Sequence, residues 1–104
     1  MNIDIQTEYV PMRPEWHRMI DDWIARCTRS HPDVQAVDLT LRHERGRKSG
    51  LEVAVVANAR GRSLRAAKHG MTMTVALHDA LDALEHELLV HDAVHRRGTI
   101  SGES

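Results

Sequence analysis

A chain of 104 residues, 41% apolar and 28% charged, has the balance of one globular domain and too little length for two independent cores. Fourteen Lys and Arg against fifteen Asp and Glu leave a net charge of −1, which excludes a uniformly basic nucleic-acid wrapper. A single cysteine excludes an internal disulfide and a cysteine-based structural zinc, and no 18-residue apolar run or signal-like apolar core is present. The expectation is therefore a cytoplasmic domain with no membrane partner. Arginine outnumbers lysine twelve to two, as coding in a G+C-rich genome would produce, and eight histidines let the net charge climb towards +7 as pH falls through about 6.5.

Residues 1–8 alternate, with Ile3, Ile5 and Thr7 on one side and Asn2, Asp4, Gln6 and Glu8 on the other, the period of a strand with one wet face. Pro14 suits a first helical turn, and Trp16, Met19, Ile20, Trp23, Ile24 and Cys27 then form a single helical stripe that should stop before His31-Pro32. A second strand is predicted over 36–44, with Val37, Leu39 and Leu41 inward. It is followed by the basic turn 45–50 and by a third strand over 51–58, with Leu51, Val53, Val55 and Ala57 inward. After the turn 59–61 a less apolar fourth strand covers 62–69. Thr72 is a fair N-cap for a second helix over 73–97, with Met73, Leu77, Ala80, Leu81, Leu84 and Leu88 as its core stripe and Gly98 as its end. Ala76, Ala80 and Ala83 form a small-residue flank, expected to lie against the first helix. The predicted organisation is one domain over 1–98 and a flexible tail over 99–104. Its class is α+β, a two-layer β-α-β-β-β-α sandwich whose four-stranded sheet carries both helices on one face, the first two strands being parallel.

The even charge total conceals an uneven distribution. Residues 1–41 carry −3, residues 42–71 carry +6 and residues 72–104 carry −4. The cations gather on the second, third and fourth strands and their turns, the acids on the helices. A local patch of this size can bind phosphates with a steep salt dependence even in a neutral chain.

Three stretches resemble the ribosome hibernation-promoting factor family, also called ribosome-associated inhibitors or sigma-54 modulation proteins. They are the opening Met1-Asn2-Ile3-x-Ile5 with Val10-x-Met12-x-Pro14-x-Trp16, the strand Leu51-Glu52-Val53-Ala54-Val55, and Leu64-Arg65-Ala66-Ala67 followed by Met73 and the run from Ala76 to Leu88. The agreement is collinear over residues 1 to about 97. The resemblance implies a double-stranded-RNA-binding-like fold and a non-catalytic protein of the stress response. Such a protein binds rRNA of the small ribosomal subunit near the decoding centre and inhibits translation in idle cells. It implies neither DNA nor cofactor, and a short form without the second domain that pairs ribosomes. The family's last helix is rich in Lys and Arg, whereas here the matching positions are Ala83, His86, Leu89 and Val90, with Asp79, Glu85, Glu87 and Asp92 nearby. Carboxylates repel phosphate, so only positions that are still basic are carried over as RNA contacts. These are Arg26 and Arg29 on the first helix, then Arg42, Arg45, Arg47, Lys48, Arg60, Arg62, Arg65 and Lys68. The alternative is an interaction or dimerisation domain that keeps the fold and has lost ribosome binding, pairing through the sheet face at Ala54, Val56 and Ala67.

Other constellations read as structure. His78, Asp82 and His86 recur at helical spacing, with His91 and His95 beyond, and such pairs can chelate zinc. Yet His86 and His91 lie about 140° apart on a helix, so the group reads as a solvated histidine face and no metal is expected. Protonation of that face would offset the acids and strengthen RNA binding in acid. Cys27 reads as a small buried hydrophobe, and Ser63 stands outside any nucleophile elbow. Trp16 and Trp23 read as core rather than as stacking platforms.

Overall fold

A computed structural model describes residues 1–43 and 50–103, with side chains for 1–43 and 50–94. The elements in chain order are β1 (Asn2–Glu8), α1 (Pro14–Ser30), β2 (Val34–His43), β3 (Leu51–Ala59), β4 (Arg62–Gly70) and α2 (Met73–Glu103). The sheet runs β1-β2-β3-β4. β1 pairs parallel with β2, as a strand–helix–strand crossover requires, and the two later pairs are antiparallel hairpins.

Alternation decides what each strand buries. Val37, Leu39 and Leu41 of β2 stand beside Ala57, Val55 and Val53 of β3, and all six are buried under the helices. α1 brings Trp16, Ile20, Trp23 and Cys27 to this layer. α2 brings Met73, Leu77, Ala80, Leu81, Leu84 and Leu88, the whole predicted stripe. Burying a side chain of this size contributes about 1.5–3 kcal/mol, so this single layer carries the stability of the domain.

Local chemistry fixes the ends. Pro14 opens α1 behind Arg13, whose guanidinium lies 5.5 Å from the Trp16 ring centroid in place of a side-chain cap. Thr72 caps α2: its Oγ1 accepts the Val75 N–H at 3.2 Å. Between β3 and β4 the two-residue turn Arg60-Gly61 has φ of 51° and 77°, the double positive φ of a type I′ hairpin. An arginine is an unusual occupant of that conformation. Its guanidinium is held by Asp33, with Nε donating at 2.7 Å and Nη2 at 3.1 Å.

Two expectations are corrected. The alanine flank of α2 does not face α1. Ala76 lies on the end of β4, where a Cβ on Gly70 would come within 3.0 Å of the Ala76 nitrogen, and Ala83 shares a groove with Lys68. The small side chains let α2 descend onto β3 and β4, its main packing partners. The helix also continues to Glu103, past the end expected at Gly98. A glycine inside a helix costs about 1 kcal/mol and does not terminate it by itself.

Candidate nucleic-acid interface

The predicted cations do not form one patch, because strand alternation and carboxylate partners divide them. Arg26 and Arg29 are exposed on α1. Arg26 borders a cleft between the helices with Asp22, Trp23, Leu81, Asp82 and Glu85. On β4, Arg62 and Lys68 share the helix side of the sheet with Leu64 and Ala66, whereas Arg65 projects from the opposite face. Arg62 borders a groove with Glu87, Val90 and His91, and Lys68 one with Asp79 and Asp82. None of these five cations enters an ion pair among the described residues.

Arg42 and Arg60 are different. Arg42 Nε lies 2.6 Å from Glu8 and its Nη1 3.3 Å from Glu52, so two carboxylates already hold it. Arg60 is gripped by Asp33, as described. Arg45, Arg47 and Lys48 lie outside the described residues.

The acids of α2 are also fewer on the surface than the sequence suggested. Glu85 and Asp92 turn towards His31, the C-cap residue of α1, which is 2% exposed. His31 Nε2 lies 3.1 Å from Glu85 Oε1 and Nδ1 lies 2.6 Å from Asp92 Oδ2. With a carboxylate at each ring nitrogen, the doubly protonated ring donates both bonds. Burial opposes that charge, but the hydrogen bonds to the two carboxylates outweigh it and raise the His31 pKa above its usual value. Burial, with the same carboxylates adding to it, pushes the neighbouring Cys27 thiol up to about 11, which keeps it an inert core group. His31 escaped the sequence reading, which saw in His31-Pro32 only a helix stop. Its signal was an imidazole at a helix end facing two acids seven residues apart on the other amphipathic helix.

The histidine face is only partly on the surface. His78 and His86 are exposed, but His91 is buried beside the Arg62 groove, because α2 turns that side to the edge of β4. The His95 side chain lies outside the described residues. Ser63 donates to Asn58 Oδ1 at 2.8 Å across the β3–β4 hairpin.

No family model matches the sequence, and no curated protein matches it either. Solved structures do. A ribosomal subunit interface protein from Coxiella burnetii superposes with a TM-score of 0.78, covering 89% of this chain and 99% of that one at 15% identity. The N-terminal domain of Protein Y from Thermus thermophilus superposes with a TM-score of 0.69, covering 85% and 96% at 17% identity. Both belong to the hibernation-promoting factor family that the sequence resembles. At these identities the likeness is one of fold, and it extends over nearly the whole domain.

Proposed function

We propose that this chain is a non-catalytic ribosome-associated protein of the cytoplasm that binds rRNA of the small subunit and inhibits translation in idle cells. The observation that carries the proposal is the near-complete superposition on a ribosomal subunit interface protein, in the same element order as the sequence resemblance. Contact is by cations on phosphate, which occludes a site and alters no bond. Arg26, Arg29, Arg62 and Lys68 are the strongest candidates, since they stand on the helix side and no carboxylate among the described residues holds them. Arg45, Arg47 and Lys48 are further contributors. Arg42 and Arg60, already bound by carboxylates, and Arg65, on the other face, contribute least. The engagement of Glu85 and Asp92 with His31 supports this reading, because it leaves Asp79, Asp82 and Glu87 as the main repulsive charges near the contact.

The test is co-sedimentation with salt-washed bacterial small subunits. Stoichiometric pelleting at about 50 mM salt is expected to weaken steeply by about 200 mM, by several tenfold steps if six or more phosphates are contacted. Replacing Arg62 and Lys68 by alanine should weaken pelleting at low salt, whereas Arg60→Ala should leave it nearly unchanged. Absence of pelleting at low salt would overturn the reading and favour an interaction module on the same fold.

A further inference from the structure

The sheet has a second face, bare of helices, and its register arranges charge across it in a particular order. One cross-strand row runs Asp4, Asp38, Val56, Arg65 from β1 to β4. Acid stands at one edge and base at the other, about 14 Å apart at the usual strand spacing. Among the described residues neither Asp4, Asp38 nor Arg65 enters an ion pair; Asp4 only accepts from the Gln6 amide at 3.1 Å. The next row, Gln6, Thr40, Ala54, Ala67, is flat and uncharged. The row beyond it runs Glu8, Arg42, Glu52, His69, with Arg42 between two carboxylates and Glu52 3.1 Å from His69.

We propose that this face pairs with the same face of a second copy, around a two-fold axis that lies between the sheets and parallel to the strands. That operation keeps each row in place and reverses the strand order. Asp4 then lies over Arg65 of the second copy and Arg65 over its Asp4, while Asp38 lies over its Val56, one strand away from the same Arg65. In the row from Glu8 to His69, Arg42 meets Glu52, opposite in sign, and Glu8 meets the imidazole of His69, whose ring N–H can donate to it. The middle row places Thr40 on Ala54 and Gln6 on Ala67, small enough for sheets to approach to about 10 Å. The other in-plane two-fold, perpendicular to the strands, sets Arg65 over Ala67 and Asp4 over Gln6, leaving both charges opposite neutral side chains. The rotation of about 30° between aligned sheets moves the corner pairs by about 5 Å, within the reach of arginine and glutamate side chains.

The size of the face sets the strength. Four strands by four alternate residues is about 500 Å² per copy, or about 1,000 Å² in all, at the low end for a specific interface. The dimer is therefore weak, micromolar or weaker, and held largely by charge, so salt dissociates it. It does not depend on ribosome binding, and its test contains no ribosome.

Sedimentation velocity of the full chain from about 10 μM to 1 mM should show a concentration-dependent dimer at about 50 mM salt that disappears at about 500 mM. Asp4→Arg and Arg65→Asp, both at exposed positions, should each weaken it at least tenfold by setting like charges together. The two variants mixed in equal amounts should restore association. In the mixed dimer the arginine introduced at position 4 meets the aspartate introduced at position 65, and the native Asp4–Arg65 pair is kept at the other corner. A wild-type chain that stays monomeric at 1 mM and low salt would overturn the proposal. So would a dimer indifferent to both reversals, or a mixture that fails to associate.

Discussion

At their starts the two helices meet through a neutral pair, Trp16 Nε1 donating to Thr74 Oγ1 at 3.1 Å, while Ala76 seats the start of α2 on Gly70 of β4. At the end of α1 the same layer is closed by ions, with His31 between Glu85 and Asp92, and Asp33 gripping Arg60 nearby. The first closure depends on shape and one hydrogen bond, and pH does not reach it. The second depends on a proton. Two ends of one helix pair can thus have similar geometry and respond to different variables.

The largest effect that would sharpen this contrast is expected from His31→Gln. Hydrogen bonds to charged partners contribute about 1.5–3 kcal/mol, so the variant should lose about 2–3 kcal/mol at pH 6. The direction with pH follows from the raised His31 value. Its contribution is complete below the unfolded histidine pKa of about 6.5 and is lost as pH rises through the folded-state value. Thermal melts of the wild type should therefore fall from pH 6 to 9, with the variant flatter and the gap narrowing. A gap that widens with pH would show that the ring is neutral in the fold.

Gly70→Ala comes next. Its Cβ would sit 3.0 Å from the Ala76 nitrogen and 3.2 Å from the Thr72 oxygen, both backbone atoms, so α2 must shift. The expected cost is about 1–3 kcal/mol at every pH, measured by urea unfolding. The smallest effect is that of Thr72→Ala, about 1 kcal/mol for loss of the cap and likewise independent of pH. If either loss varied with pH as that of His31→Gln should, the division into a neutral and an ionic end would fail.

Much of the architecture was legible because it rests on period. Val37, Leu39 and Leu41 alternate, Trp16 to Cys27 recur at helical spacing, and Thr72 and Pro14 mark helix starts, so elements, core and strand order followed from neighbours along the chain. The candidate site was less legible because its electrostatics are pairwise and distant. Nothing near Arg42 in the sequence announces Glu8, thirty-four residues away, and nothing near His31 announces Asp92, sixty-one away. The alanine flank was misplaced for a related reason: small residues mark a close approach without saying to which neighbour. Gly98 shows the limit of single-residue punctuation, since the helix runs through it.

The topology bears on how the chain assembles. β2, β3 and β4 join through neighbouring hairpins, and the Arg60-Gly61 turn brings Ala59 and Arg62 together across two residues. Every β1 pairing instead spans thirty-four residues, from Asn2↔Ala36 to Glu8↔Arg42, with the whole of α1 between. Closing that long loop costs entropy before its contacts return anything, while the local hairpins form cheaply. The meander with α2 is thus expected to form first, and β1, an edge strand whose every pairing closes that long loop, to pair last.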